Sequence, residues 1–226
     1  KMIPIESQEA RDLNKEIFKH IKKEAVKASQ ALAKERGPAM HADNGQRHAH
    51  LLAIAPNANN SLIANTSPSI EPWQDNYHTL DTRAGTTTRK NEALLKLLQD
   101  KGQDTQEVWQ SIKNKDSSVQ HLDFLTDNEK AVFKTAFEID QAVLITLAAD
   151  RQEFICQSQR LNLFYQPTAS KSLLEEHVLL AWKLNVKSLY YQRSLNPNKT
   201  EDMSSKIEVK AEKPKDSKFE CVGCEG

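Results

Sequence analysis

Apolar residues recur every three or four positions along much of the chain, a spacing that places them on one face of an α-helix. The longest such stretch runs from Ala10 to Leu32, with Ser7 placed to cap its start and Gly37-Pro38 to stop it. Shorter stretches predict helices at residues 92–101, 105–113, 126–149 and 172–185, and the last two begin with capping boxes. The pattern therefore predicts a chain rich in helix.

Short extended segments alternate with these helices. Residues 51–55 are a small apolar run that Pro56 ends, and residues 186–191 form a second such run, so each predicts a strand. Residues 153–164 alternate loosely between apolar and polar and predict extended backbone. Strand, helix and strand in alternation are typical of an α/β fold. Periodicity leaves open whether the strands form an open sheet or part of a barrel.

The composition of the chain excludes little by itself. Its 226 residues carry 31 basic and 31 acidic side chains, so no net charge predicts a nucleic acid or a membrane as partner. No apolar run approaches the length of a transmembrane helix or a signal segment. Three cysteines are too few for a disulfide scaffold, which favours a reducing cytoplasm. The start at Lys1-Met2 is unusual for a native protein, and truncation is one interpretation of it.

Residues 194–226 differ from the rest of the chain in composition. They are rich in Lys, Glu, Asp, Ser and Asn, and a segment with so few apolar residues cannot offset its ordering entropy. We therefore expect one domain at residues 1–193 and a disordered tail at residues 194–226.

Cys221 and Cys224 lie at CxxC spacing near the end of this tail. Such a pair closes a small disulfide ring readily, which favours a role as a tethered electron carrier. Half of a zinc site and an incidental pair are the alternatives, although zinc needs four ligands and no second pair lies nearby.

Other features carry weaker signals. The stretch from Pro56 to Ser61 leads from a strand into a helix, which suits an anion such as phosphate but also describes an ordinary turn. Tyr190 and Tyr191 are adjacent, and they either pack in the core or relay electrons and protons between neighbouring phenols. Cys156 lies in an apolar stretch and is predicted to be a buried structural thiol. The three tryptophans, Trp182 among them, are predicted to pack in or against the core.

Several segments, taken in order, resemble the C-terminal third of the large (catalytic) subunit of class I ribonucleoside-diphosphate reductase. They are RHAHLLAIAPNA at 47–58, SPSIEP at 67–72, SVQHLDFL at 118–125, AADRQEFICQ at 148–157, LNLF at 161–164, AWK at 181–183 and KSLYY at 187–191. The two-cysteine tail completes the series. The resemblance implies a ten-stranded α/β barrel, of which this chain supplies the closing strands.

The resemblance also implies roles for individual residues in the reduction of ribonucleoside diphosphates to deoxyribonucleoside diphosphates by radical chemistry. Tyr190 and Tyr191 match the pair that passes the radical inward from the small subunit. Cys221 and Cys224 match the pair that reduces the active-site disulfide and is then reduced by thioredoxin or glutaredoxin. The helix at 172–184 is similar to part of the surface on which the C-terminus of the small subunit docks. The loop that holds the diphosphate corresponds to Pro56, Asn57, Ala58, Asn59 and Asn60.

Other parts of the family pattern do not occur in this sequence. The thiyl-radical cysteine, the two reducing cysteines and the Asn-x-Cys-x-Glu segment do not appear, and Cys156 matches none of them. The resemblance places the metal-radical cofactor on the small subunit and the ATP and dNTP effectors elsewhere in a homodimeric large subunit, so no cofactor or metal is expected here. We expect the isolated chain to be inactive. A non-catalytic module that binds the small subunit and a thiol–disulfide oxidoreductase are the alternative interpretations.

Overall fold

Seven helices and four short strands occupy the part of the chain that the computed structural model describes, which is residues 1–40, 44–82 and 85–195, without the side chains of residues 80–87. The helices are α1 (Gln8–Arg36), α2 (Ala58–Ile63), α3 (Glu92–Asp100), α4 (Gln106–Asn114), α5 (Asp127–Val132), α6 (Gln141–Gln152) and α7 (Lys171–Lys183). The strands are β1 (Tyr77–Thr82), β2 (Gly85–Lys90), β3 (Leu163–Tyr165) and β4 (Gln192–Ser194). The prediction of a helix-rich α/β fold is confirmed.

Helix caps account for most of the agreement with the sequence pattern. The Ser7 hydroxyl accepts a hydrogen bond from the Ala10 amide at 3.1 Å and begins α1, as predicted. Thr126 and Glu129 form both bonds of the predicted capping box at the start of α5. For α7 the predicted cap is wrong by two residues, because the hydroxyl of Ser170 accepts from the Leu173 amide.

The single helix predicted at residues 126–149 is wrong. The chain leaves the helical path after α5 and restarts at α6, and polar side chains fix the break. The Glu138 carboxylate accepts from the Thr135 amide at 2.7 Å, and the Asp140 carboxylate accepts from the Ala142 amide at 2.9 Å and caps α6. These side chains bind the backbone amides that a continuous helix would have used.

A β-hairpin follows the loop after α2, where the apolar pattern predicted no element. Strands β1 and β2 pair antiparallel, with Tyr77 opposite Lys90 and Thr82 opposite Gly85. The segment is polar, and its run of threonines at 86–88 is the β-branched signal that an apolar periodicity does not register.

Two hydrophobic clusters are built from the residues that follow this hairpin in sequence. The first joins α6, β3 and α7 and contains Ala136, Ile139, Leu144, Ile145, Ala148, Leu161, Leu163, Phe164, Tyr165 and Ala181. The second joins α3, α4 and the turns after them and contains Leu94, Leu98, Trp109, Ile112, Val119, Leu122, Leu125 and Phe133. The first cluster supports the elements that carry the candidate site.

An extended segment at residues 157–165 runs along the first cluster and has neighbours on both edges. On one edge Ile54 forms a parallel bridge with Gln159, and on the other β3 pairs in parallel with β4. The strand predicted at 51–55 is therefore reduced to one bridge. The strand predicted at 186–191 is displaced to Gln192–Ser194, because the chain first makes a turn after α7.

Helix α1 is attached to α6 mainly through polar contacts. Arg11 bonds the Asp150 carboxylate, to which Lys15 also lies at 3.3 Å, and the Asn14 side chain donates to the Leu147 carbonyl at 3.0 Å. The hydrogen bond from Arg11 lowers the pKa of the Asp150 carboxyl, although burial opposes it. Of the residues of α1, only Ser29 and Ala33 are buried.

Gln141 ties the start of α6 to β3 from a buried position. Its side-chain nitrogen donates to the carbonyls of Ala136 at 3.0 Å and Ile139 at 2.6 Å, and its oxygen accepts from the Phe164 amide at 2.8 Å. Three backbone groups of the first cluster therefore depend on one side chain.

Replacing Gln141 with Leu is expected to lower the free energy of unfolding by about 3 kcal/mol or more, because each buried backbone group left without a partner costs about 1–3 kcal/mol. Urea denaturation of the wild-type chain and the variant, fitted with one shared m-value, measures the change in the free energy of unfolding. Gln110→Leu is the control, since Gln110 is exposed and should change stability by about 0.5 kcal/mol or less. Equal losses in the two variants would contradict this assignment.

Candidate functional site

The segment before the predicted diphosphate loop (residues 56–60) is held by the extended segment 157–165. The Ile54 amide donates to the Ser158 carbonyl at 3.2 Å, and the Arg160 amide donates to the Ile54 carbonyl at 2.9 Å. The amide of Gln157 donates to the Leu52 carbonyl at 3.0 Å. The loop therefore begins from a fixed position, immediately after a parallel ladder.

Residues of the loop are exposed and form the first turn of α2. Asn57 has a left-handed backbone, with φ 44° and ψ 34°, and its carbonyl accepts the first helical bond from the Ser61 amide at 3.0 Å. The amides of Ala58, Asn59 and Asn60 lie ahead of that bond, where helical geometry leaves N–H groups without an intrahelical partner. The predicted turn into a helix is present, and its first-turn amides are free of intrahelical partners; that they bind an anion stays a prediction.

Arg89, which the sequence analysis did not single out, braces the far end of α2. From β2 it donates to the carbonyls of Ser61 at 3.0 Å and Thr66 at 2.6 Å, and to the side-chain oxygen of Asn65 at 3.0 Å. Its guanidinium lies 4.7 Å from the centre of the Trp73 ring. Burial lowers the pKa of Arg89. These contacts fix the helix whose first turn carries the loop.

Tyr190 and Tyr191 lie against each other at the rim of the first cluster. Their ring centres are 4.0 Å apart with an angle of 49° between the planes, and the residues are 49% and 53% exposed. The Tyr190 amide donates to the Leu161 carbonyl at 2.9 Å, and the Tyr191 amide donates to the side-chain oxygen of Asn162 at 3.2 Å. The backbone of the pair is fixed while both rings face solvent, which disfavours the interpretation as core packing.

One arginine lies over each ring of the pair. The guanidinium of Arg160 is 5.3 Å from the centre of Tyr190, and that of Arg193 is 5.6 Å from the centre of Tyr191. The hydrogen bond between the two phenols raises the pKa of Tyr190, and the two guanidinium groups lower it by less. Tyr190 is therefore a neutral phenol at neutral pH.

Arg160 also brings the loop and the tyrosine pair together. Its Nη1 donates to the Pro56 carbonyl at 3.1 Å while its guanidinium contacts Tyr190. Sequence reasoning missed this residue and Asn162. The only signal for Arg160 was one basic residue inside an extended stretch between two candidate motifs.

Cys156 is exposed, so the prediction of a buried thiol is wrong. Its sulfur accepts hydrogen bonds from the amides of Leu51 at 3.0 Å and Leu52 at 3.1 Å. Partial burial raises the pKa of the thiol, but the hydrogen bonds from Leu52 and Leu51 and from the amides beside the sulfur outweigh it, and the net pKa is lowered. Amide donors stabilise a thiolate in this position.

Helix α7 presents an apolar face to solvent. Trp182, predicted to pack in or against the core, is 73% exposed, because the residue lies on the side of α7 opposite the buried Ala181 and His177. The other large apolar residues exposed on or beside this helix are Leu173, Val178, Leu179 and Leu184. Exposed apolar side chains grouped on one helix are a candidate surface for binding another protein chain.

Two of the predicted site residues, Cys221 and Cys224, lie outside the described residues, as does the predicted tail from residue 196 onward. The division of the chain at residues 193 and 194 stays a prediction. Among the described residues, no helix has the length and apolarity needed to cross a membrane.

Cys156 is expected to react with a thiol reagent in the folded chain, and to do so with a lower apparent pKa than in the urea-unfolded chain. The Cys221→Ser/Cys224→Ser double variant isolates its signal. The pH dependence of the labelling rate, measured folded and unfolded, checks this expectation. Labelling that occurs only after unfolding would support the buried thiol that the sequence predicted.

Comparisons with known proteins match nearly the whole described part of the chain. The family model for the ribonucleotide reductase barrel domain matches residues 1–43 and 39–192. The ribonucleoside-diphosphate reductase large subunit of Invertebrate iridescent virus 3 is 42% identical over 234 residues, covering 100% of this chain and 36% of that protein. The corresponding protein of Invertebrate iridescent virus 6 is 42% identical over 200 residues, covering 86% of this chain and 21% of that protein.

The solved structure of the Actinobacillus ureae class Id ribonucleotide reductase alpha subunit has the same arrangement. It superimposes with a TM-score of 0.79 at 42% identity, covering 89% of this chain and 37% of that protein. The chain thus spans between 21% and 37% of the length of these relatives, and the expectation of a barrel is confirmed. The helices, the parallel strand segments and the matched sequence together show that the chain belongs to the barrel domain of the large subunits of class I ribonucleotide reductase.

Proposed function

We propose that this chain takes part in the reduction of ribonucleoside diphosphates to deoxyribonucleoside diphosphates, and that it supplies three working parts of the catalytic subunit. These parts are the diphosphate loop, the last step of a tyrosine radical relay and a reducing tail. The observation that carries the proposal is the contact between two half-exposed tyrosine rings, 4.0 Å apart, beside the loop. Two fixed phenols facing solvent have no evident packing role.

The loop would hold the diphosphate through neutral donors. The first-turn amides of α2 precede the first intrahelical bond, and the side chains of Asn57, Asn59 and Asn60 add amide groups. The family often has Thr or Ser at these positions, so amide nitrogens here take the place of hydroxyl donors. The charge of the diphosphate favours this end of the helix.

The tyrosine pair would carry the radical in one hydrogen-atom step. A radical at Tyr191 takes one electron and one proton from the Tyr190 phenol, which leaves Tyr191 reduced and Tyr190 as the radical. The close approach of the two rings, with centres 4.0 Å apart, keeps this path short, and the raised pKa of Tyr190 keeps that proton in place at neutral pH. The inward acceptor would be the family's active-site cysteine, which this sequence does not contain.

The apolar face of α7 would receive the C-terminus of a small subunit that carries the metal-radical cofactor. Exposed Trp182, Leu179 and Val178 lie within two turns of this helix and provide the contact area that such a peptide needs. A short turn leads from the end of α7 to the tyrosine pair, so docking there would bring the donor of the radical near its receiver.

Cys221 and Cys224 would return reducing equivalents to the active site. The thiolate of one attacks the active-site disulfide, and the second closes the CxxC disulfide as the active site leaves as a dithiol. Thioredoxin or glutaredoxin would then reduce the tail disulfide. The support for this part is the motif and its place in a polar segment.

A second candidate function is a non-catalytic module that binds the small subunit. The exposed apolar face of α7 favours it, because binding there needs none of the redox residues. Saturable binding of a small subunit that survives loss of both tyrosines and both tail cysteines, without any turnover once the rest of the barrel is supplied, would favour this alternative.

Tyr190→Phe and Tyr191→Phe are each expected to abolish deoxynucleotide formation in a full-length large subunit that includes the rest of the barrel and is assayed with a small subunit, because phenylalanine cannot form the phenoxyl radical. Affinity for the nucleoside diphosphate should not change. Tyr77→Phe is the control, since the Tyr77 ring contacts Trp109 rather than another phenol. Full turnover in either phenylalanine variant would refute the relay.

Cys221→Ser and Cys224→Ser are each expected to stop turnover of the same full-length protein with thioredoxin, because a single thiol cannot close the CxxC disulfide. A small dithiol that enters the active site directly should still support the reaction. Steady-state rates with the two reductants make the comparison. Equal loss with both would show that the tail does not act as a shuttle.

A further inference from the structure

The guanidinium of Arg160 contacts two parts of the proposed site that lie on opposite edges of the segment 157–165. Arg160 Nη1 donates to the Pro56 carbonyl at 3.1 Å, and the same group lies 5.3 Å from the centre of the Tyr190 ring. Pro56 is the first residue of the diphosphate loop, and Tyr190 is the inner member of the tyrosine pair. A movement of the Pro56 carbonyl or of the Tyr190 ring therefore changes a contact of the Arg160 guanidinium.

Arg160 is held firmly enough to transmit such a displacement. Its own amide donates to the Ile54 carbonyl at 2.9 Å, two residues before the loop, and the residue is partly buried. The side-chain Nε is buried and has no hydrogen-bond partner among the described residues, while Nη1 donates to the Pro56 carbonyl and the guanidinium lies over the Tyr190 ring. A planar guanidinium can donate from its edge and stack its face on a ring at the same time, which an ammonium group cannot do.

Arg193 provides an internal comparison. It lies over Tyr191 at 5.6 Å, and thus gives the second tyrosine a cation similar to the one that Arg160 gives the first. Arg193 belongs to β4, which pairs with β3, whereas Arg160 lies on the ladder that leads into the loop. The two arginines therefore share the ring contact and differ in the contact to Pro56.

We propose that Arg160 is a positioning residue that couples occupancy of the diphosphate loop to the placement of the Tyr190 ring. A diphosphate bound at the loop fixes the Pro56 carbonyl, and Arg160 passes this restraint to Tyr190. Coupling of this kind is reciprocal. Loss of the contact between Arg160 and the Tyr190 ring therefore weakens diphosphate binding by the same free energy with which bound diphosphate stabilises that contact. The inference rests on the proposed function and names a residue through which the relay would respond to substrate.

The test uses the full chain with its tyrosine rings and backbone amides observed by NMR, and inorganic pyrophosphate as the probe. Without probe, Arg160→Met should speed amide exchange at Ser61 about fivefold, the effect of losing about 1 kcal/mol of hydrogen bonding to the loop. The same variant should shift the Tyr190 ring signals. Arg193→Met should shift the ring signals of the pair and leave exchange in the loop unchanged. Unchanged loop exchange in Arg160→Met would overturn the coupling.

With pyrophosphate added, the wild-type chain and Arg193→Met should show a shift of the Tyr190 ring signals that saturates together with the loop amides. Arg160→Met should bind the probe at the loop more weakly than the wild-type chain and without that response at Tyr190. Arg160→Lys, which cannot use an edge and a face together, should give a reduced response. A full response in either Arg160 variant would overturn the coupling.

The diphosphate role and the coupling through Arg160 give different results when they fail. If pyrophosphate does not perturb the loop amides of the wild-type chain, the diphosphate role in the proposed function is wrong, and the coupling to diphosphate occupancy is wrong with it. If pyrophosphate binds at the loop but the Tyr190 signals of the wild-type chain do not move, the proposed loop stands and the coupling is wrong. The dispersion of the amide spectrum checks that each variant is folded.

Discussion

The backbone of residues 157–165 must find hydrogen-bond partners on both of its edges, and this requirement organises the site. On one edge the amides of Arg160, Asn162 and Phe164 donate in turn to the Ile54 carbonyl, a Glu71 carboxylate oxygen and the Gln141 side chain. On the other edge lie the tyrosine pair and β4. A buried segment with unpaired amides would be costly, so the loop and the tyrosines are kept on opposite sides of one strand.

The sequence predicted those features that depend on a few neighbouring residues. The cap at Ser7 and the capping box at Thr126 bind amides three residues away, so their helices begin where local chemistry requires. The interruption before Asp140 was missed because apolar spacing continues through it, while the bonds that break the helix come from polar side chains. The turn from residue 56 into α2 was predicted because an apolar run followed by proline and small polar residues is itself a local pattern.

What the sequence could not supply is the environment that other parts of the chain create. Cys156 has apolar neighbours in sequence, yet it lies at the surface, where Leu51 and Leu52 approach it from 104 or more residues away. Tryptophan usually packs in or against a core, but the face of α7 that carries Trp182 has no partner among the described residues. The contacts of Arg160 depend on how close Pro56 and Tyr190 lie in the folded chain, and the sequence around neither residue specifies that distance.

The attachment of α1 has a different physical character from the rest of the domain, with consequences for how the chain opens. Ionic and polar contacts to Asp150 and its neighbours hold this 29-residue helix, and the lowered pKa of Asp150 means that its contribution is present near neutrality and fades as acid protonates the carboxylate. Salt weakens the same contacts. At low pH or high salt, the first cooperative unit to separate should thus be α1, which leaves both hydrophobic clusters packed. Limited proteolysis would then remove the longest helix before it reached the tyrosine pair.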